Sequence, residues 1–262
     1  MSLARFFVNQ IPDRGSLTLD ESESHHAARV LRVQLGDDCL VFDGHGYEGF
    51  GTIETIHKRE VIICISGKRF APRDHEGKLW FAIAMPKGDR QRSVIEKLVE
   101  LGVDRLLPIE SHRSVAKLDE DSVTKLHRYG IEACKQCQRN RLMNINPPTT
   151  LRNLFSHLDT LSLSDRWILH PGSEGATLTD FLNGQAAARE SDEKGGALNG
   201  PRGILFAVGP EGGFTAEEIE QSSHHGFKRL NLGERILRVE TAVASAATLG
   251  SAVLGIGKSL GK

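Results

Sequence analysis

The spacing of hydrophobic positions changes character along this chain, and the change divides it. Up to about residue 67 the apolar runs are short, as in Cys39-Leu40-Val41-Phe42, Gly51-Thr52-Ile53 and Glu60-Val61-Ile62-Ile63-Cys64-Ile65. Glycine and charged turns separate them, and such runs predict β-strands. One helical stretch interrupts them, from His25-His26-Ala27-Ala28 through Val30-Leu31-Arg32, with Ser22 or Ser24 as its expected cap and an end before Gly36. The segment predicts a small barrel with one helix. Residues 66–78 carry proline, glycine and charge without an apolar period, and read as a linker.

Beyond the linker, strands alternate with helices. Leu79-Trp80-Phe81-Ala82-Ile83-Ala84 predicts a buried strand, and 92–101 a helix with Val94, Ile95, Leu98 and Leu101 on one face, closed by Gly102. Strands at 105–109, 167–170 and 204–208, with a long helix over about 122–138, complete a βαβ alternation. That order predicts an α/β domain with a mainly parallel sheet and a ligand at the strand C-termini. Residues 183–202 read as a short helix end followed by a mobile loop.

Composition narrows the chemistry. The 262 residues suit one large or two ordinary domains. A net charge of -1 gives no global nucleic-acid signature, so RNA contacts must rest on local basic patches. The N-terminus lacks a signal-peptide core, so Cys39, Cys64, Cys134 and Cys137 read as reduced thiols and the expected compartment is the cytoplasm. Cys134-Lys135-Gln136-Cys137 has no second ligand pair, and His25-His26 and His224-His225 read as packing or surface residues, so no metal is expected. Gly44-His45-Gly46-Tyr47-Glu48-Gly49 matches a dinucleotide fingerprint in letters. A strand follows it instead of a helix, so it reads as a hairpin turn.

The candidate chemistry gathers near the C-terminus. The run 204–208 breaks into Gly209-Pro210-Glu211-Gly212-Gly213-Phe214, after which Thr215 and Glu218 form a capping box and Phe214 with Ile219 a hydrophobic staple. Glycines there let backbone approach a ligand. No Gly-Lys-Ser/Thr is present and Glu211 would repel phosphates, so a ligand with hydroxyl or cationic groups fits better; a tight turn without any ligand is the plainer alternative. A second loop, Leu232-Gly233-Glu234-Arg235-Ile236-Leu237-Arg238, offers apolar surface for a flat ring and a permanent cation at Arg238. From Val239 a helix rich in Ala, Ser, Thr and Gly begins, which suits close packing against another backbone better than a membrane span.

These two loops resemble the cofactor motifs of the SPOUT (trefoil-knot) methyltransferases. The chain is similar in particular to the RsmE family, the ribosomal RNA small-subunit methyltransferases that act at uridine N3. The likeness extends through Lys87-Gly88-Asp89-Arg90, Lys97-Leu98-Val99-Glu100-Leu101-Gly102-Val103, Arg113-Ser114-Val115, Gln136-Cys137-Gln138-Arg139 and Leu169-His170-Pro171. The resemblance implies a PUA-like RNA-binding barrel at 1–72 and a SPOUT α/β-knot methyltransferase domain at 73–262. It also implies a homodimer and S-adenosylmethionine (SAM) bound by Leu169, Gly209, Glu211, Gly212, Leu232, Gly233, Ile236, Leu237, Thr241 and Ala242. The substrate would be 16S ribosomal RNA or the assembled small subunit.

N3 of uracil carries a proton at neutral pH, so such a site must remove it or stabilise the anion. Arg238 is the candidate for stabilising charge on the uracil oxygens. Glu240 would accept the proton, or alternatively cap the helix or pair with Arg238. Arg5, Arg29, Arg32, Lys87, Arg90, Arg113, Arg139 and Arg141 are the expected RNA-binding cations. Two rival functions remain: a knotted methyltransferase acting on another RNA atom, and a PUA-like RNA-binding protein without catalysis.

Overall fold

The structure is a computed structural model, described at residues 3–57, 60–75, 77–158, 163, 165–172, 174–193 and 202–255. It divides into two compact units: Met1–Asp74 with Ile131–Leu142, and His75–Gly130 with Met143–Lys262.

In the first unit, β1 (Ala4–Phe7), β2 (Gly15–Thr18), β3 (Asp38–Phe42), β4 (Tyr47–Ile56) and β5 (Val61–Phe70) form one sheet in the order β1-β3-β4-β5-β2. Inward residues Phe6, Val41, Ile53, Val61, Ile63 and Ile65 make its core. Gly44-His45-Gly46 forms the turn between antiparallel β3 and β4, as the strand context required. Two expectations need correction. The cap of α1 (Glu21–His25) is Asp20, whose Oδ1 accepts from Glu23 N at 2.8 Å, while Ser24 is buried and its Oγ donates to Leu19 O at 3.1 Å. The helix continues as a π-helical stretch, His26–Leu31, and stops at Arg32 in the left-handed region.

The expected linker is half strand. β5 runs to Phe70 because Gly67, Lys68, Arg69 and Phe70 pair with Phe50, Gly49, Glu48 and Tyr47. These residues satisfy their backbone groups through the ladder while leaving polar side chains at the surface, so no apolar period marks them. The C-terminal part of α3 (Glu120–Cys137) packs with this unit, where Cys134 is buried and burial pushes its thiol up to about 12.

In the second unit β6 (Lys78–Ile83), β7 (Arg105–Glu110), β8 (Asn144–Ile145), β9 (Thr149–Thr150), β10 (Asp165–Leu169), β11 (Gly203–Val208) and β12 (Lys228–Leu230) form a parallel sheet. The order is β12-β10-β11-β6-β7-β8, with β9 also pairing β7. Buried on both faces, the central strands are continuous apolar runs, as parallel strands must be. One face carries Ala82, Leu107, Leu205 and Ala207 against Leu154 and Phe155 of α4 (Leu151–His157) and Ile219 of α6 (Ala216–His224). Neither α4 nor the two-residue strands were expected, since elements that short carry no readable period.

On the opposite face α2 (Arg90–Glu100) and α7 (Val239–Leu254) pack together. Val94, Ile95 and Leu98 of α2 are buried as expected; Val99 is buried too, whereas Leu101 is half-buried. The small residues of α7 let it lie close to the sheet: a Cβ added at Gly250 would stand 2.6 Å from Leu79 Cδ1 and 3.1 Å from the Phe206 ring. Gly250→Val is therefore expected to cost about 1–3 kcal/mol in overpacking, measurable as a lowered urea midpoint with unchanged m-value. α5 (Leu178–Glu193) is longer than the short helix end expected at 183–202; the rest of that stretch, 194–201, lies outside the described residues.

Candidate active site

Three neighbouring parallel strands, β12, β10 and β11, end side by side, and the loops that leave them enclose a cavity of about 410 Å³. That volume falls within the range of small-molecule pockets, roughly 300–1,000 Å³. β10 contributes Leu169, His170 and Pro171. β11 contributes Val208 and the loop through Gly213. β12 contributes Leu230 and the loop leading to Val239 and Ala242.

The first loop is fixed from both ends. Gly213 has φ 70°, which turns the chain so that its N–H donates to Pro210 O at 2.8 Å. The capping box then closes: Thr215 N donates to Glu218 Oε2 at 2.8 Å and Glu218 N to Thr215 Oγ1 at 3.2 Å. Phe214 and Ile219 are both buried. Arg90, on the first turn of α2, pairs with Glu211 at 2.6 Å, and Arg113 Nη1 donates to Gly212 O at 2.7 Å. The loop backbone is thus held open toward the cavity. The second loop is shaped by Asn231, whose Oδ1 accepts from Gly233 N at 2.9 Å and whose Nδ2 donates to Gly172 O at 2.8 Å. Gly233 has φ 116°, which a side chain would strain.

Nine of the ten cofactor-site candidates line this cavity: Leu169, Gly209, Glu211, Gly212, Leu232, Gly233, Ile236, Leu237 and Ala242. Thr241 is exposed on the first turn of α7 and is not part of the wall. Arg238 is part of it. Its backbone is extended at the N-cap of α7, and its side chain makes no capping bond. Glu240 follows in the first helical turn with Oε2 buried and without a hydrogen-bond partner. Among the described residues no ion pair joins Glu240 to Arg238. Glu240 itself is not part of the cavity wall; the guanidinium that lines the cavity, Arg238, suits a site where negative charge develops.

Sequence reasoning passed over His170 and Pro171 as wall residues, although their place directly after a parallel strand was the available signal. Burial, reinforced by the charge of Arg229, lowers the His170 pKa below the usual imidazole range, so the cavity holds a neutral ring at neutral pH.

The expected RNA contacts divide. Arg29, Arg32 and Lys87 are exposed, while Arg90 and Arg113 are engaged with the glycine loop. Arg5 and Arg139 need correction, being only 6% and 4% exposed. Arg5 Nη2 donates to Asn140 Oδ1 at 2.6 Å, and Arg139 Nε to Asp74 Oδ1 at 2.9 Å. Both guanidiniums serve internal pairing because a buried cation without partners would be far more costly.

The RNA methyltransferase domain family matches residues 73–251 and the RNA methyltransferase PUA domain matches residues 19–65. The chain is 27% identical over 248 residues to the ribosomal RNA small subunit methyltransferase E of Bacillus subtilis, covering 92% of this chain and 93% of that one. It is 29% identical to the enzyme of the same name from Synechocystis, covering 91% and 74%. Among solved structures, a Legionella pneumophila protein described as a methyltransferase and solved with bound SAM superposes with TM-score 0.83 at 29% identity, covering 96% and 98%. A Neisseria gonorrhoeae ribosomal RNA small subunit methyltransferase E, at 24% identity and TM-score 0.81, shares the fold over 96% and 98%. Family match, five-stranded N-terminal sheet and parallel-sheet architecture agree: the chain belongs to the RNA methyltransferase family, in its RsmE branch, with a PUA-like domain ahead of a SPOUT α/β domain.

Proposed function

We propose that this protein transfers a methyl group from SAM to N3 of a specific uridine in 16S ribosomal RNA. The observation that carries the reading is the convergence of both glycine loops and Arg238 around the C-terminal ends of three parallel strands, with Glu240 two residues on in the first turn of α7. The residues fit the cofactor. Leu169, Leu232, Ile236, Leu237 and Ala242 offer apolar walls, Gly209, Gly212 and Gly233 offer bare backbone, and Glu211 offers a carboxylate held in place by Arg90. SAM supplies an electrophilic methyl group on a sulfonium, and a neutral His170 adds no cation to oppose that charge.

Arg238 and Glu240 are the catalytic residues of this reading. Glu240 accepts the N3 proton, and Arg238 faces the negative charge that spreads onto the uracil oxygens as the proton leaves. Because N3 lies on the pairing edge, the target uridine must be unpaired or flipped out. Residues 1–72 form the RNA-binding domain and 73–262 the catalytic domain. Arg29, Arg32 and Lys87 meet phosphates. The protein acts in the cytoplasm as a homodimer, consistent with Ile236, which stands 87% exposed on the second loop where a second copy would cover it.

Nucleoside mass spectrometry of ribosomal RNA from a strain lacking the gene tests the target. Loss of 3-methyluridine, restored by the wild-type gene, is expected; its persistence would overturn the assignment. Calorimetric titration with SAM separates the enzyme from a non-catalytic RNA binder, for which no SAM binding would be found while RNA affinity persisted.

A further inference from the structure

Among the described residues, the ionisable side chains that line the cavity are His170, Glu211, Arg235 and Arg238. Three of them are accounted for. Glu211 is paired with Arg90 at 2.6 Å, burial keeps His170 neutral at neutral pH, and Arg238 is assigned to the charge that develops on the base. Arg235 has no such role. It is exposed, and its guanidinium takes part in no hydrogen bond or ion pair among the described residues. Arg229, on the strand before the loop, shows the contrast, since its Nη1 pairs with Glu174 at 3.0 Å. A guanidinium offers five N–H donors and a permanent charge, so one left free on a cavity wall is available to a ligand.

The loop fixes where Arg235 stands. Upstream, Gly233 N donates to Asn231 Oδ1 at 2.9 Å; downstream, Val239 is buried and Ala242 N donates to Arg238 O at 2.9 Å, which opens α7. Between these anchors Gly233, Glu234, Arg235 and Ile236 are all exposed. Gly233, Arg235 and Ile236 therefore form the mouth of the cavity, whereas Leu169, Leu230 and Val239 are buried and form its apolar floor. Arg238 starts the helix beside Val239, so the cation flanked by exposed residues on both sides is Arg235.

SAM has two ends of unlike chemistry. Its adenine is flat and suits the buried floor. Its amino-acid tail ends in an ammonium and a carboxylate, which are costly to bury and belong at the mouth. Glu211 supplies a negative partner for the cationic part of the ligand, and the carboxylate requires a positive one. A guanidinium matches a carboxylate through two parallel N–H donors, which fixes direction as well as charge. We propose that Arg235 is a cofactor-binding residue that meets the α-carboxylate of SAM at the mouth of the cavity. The inference rests on the SAM-binding reading and sharpens it, because Arg235 belongs neither to the cofactor set that the resemblance implies nor to the expected RNA cations.

Calorimetric titration of the full chain with SAM and with decarboxylated SAM tests this, since the two ligands differ by the carboxylate alone. Arg235→Gln is expected to weaken SAM binding roughly three- to tenfold, the range for a charge-assisted pair in contact with solvent, and to leave decarboxylated SAM within about twofold. Arg235→Lys should recover part of the loss, because the charge stays and the fork does not. Higher salt should narrow the wild-type preference for SAM over its decarboxylated form. The substituted side chain is exposed, so the fold is retained. Equal weakening of both ligands would make Arg235 a support of the loop and overturn the inference. Unchanged SAM affinity would overturn it too, assigning Arg235 to phosphate if RNA binding loses salt dependence and to a second copy if self-association is lost. Absence of binding of either ligand by the wild-type chain would instead sink the SAM reading itself.

Discussion

Arg238→Ala is expected to lower methyl transfer by about 10²–10³-fold, the range seen when one preorganised donor to a developing oxyanion is removed. SAM affinity should change by no more than about twofold, because the interaction is made chiefly in the transition state. Three features of the structure support so uneven an outcome. Arg238 lines the cavity, its side chain makes no capping bond, and the glycine loop is already tied by Arg90 and Arg113. Removing the guanidinium therefore leaves the cofactor walls standing. Single-turnover transfer to small-subunit RNA, measured beside calorimetric SAM binding, reads the two quantities separately. Equal loss of both would make Arg238 a cofactor-binding residue and leave Glu240 as the sole catalytic candidate.

Glu48→Gln is expected to destabilise the first unit by about 3–5 kcal/mol, the usual cost of breaking a buried ion pair on one side. Glu48 is fully buried and receives Arg69 at 2.6 Å, Arg73 at 3.0 Å and Asn140 Nδ2 at 2.9 Å, while Arg5 stands 3.5 Å away. Burial is the largest single influence on its carboxyl and pushes the pKa up. The hydrogen bonds from Asn140 and Arg69 and the charges of Arg73 and Arg69 together outweigh it and hold the pKa below the usual glutamate range. A depressed pKa means the unfolded chain binds the proton more readily. The stabilisation is thus present in full above the ordinary value of 4.5 and is lost as pH falls through the lower folded value. The variant should be less stable at neutral pH and should lose this part of the acid dependence. Both tryptophans, Trp80 and Trp167, belong to the second unit, so hydrogen exchange at the β4 and β5 amides is the appropriate measurement. Unchanged protection there would show that the guanidiniums find other partners.

Much of the catalytic domain was legible because its signals are local. The capping box at Thr215 and Glu218, the staple of Phe214 on Ile219 and the closing glycine at 102 each involve residues within a few positions, and each is present. Parallel strands buried on both faces read as unbroken apolar runs, which placed β6, β7, β10 and β11 within a residue or two. The strand beyond Gly67 was hidden because ladder bonds satisfy a polar segment without marking its side chains. The cap of α1 went to Asp20 rather than Ser22 or Ser24 because all three offer a suitable oxygen and only the chain path into the helix chooses among them.

The sequence by itself determined the succession of elements, the two glycine loops and the family likeness, since each is written in neighbouring residues or in a pattern of them. Only the tertiary structure decided which charges are free. Arg5 and Arg139 read as surface cations and proved to be buried partners of Asn140 and Asp74, while Arg238 and Glu240, two residues apart, are joined by no ion pair among the described residues. Whether a charged side chain meets water, a carboxylate or a ligand depends on what distant segments bring within a few ångströms. Desolvation and pairing are properties of that assembled neighbourhood, which no local pattern encodes.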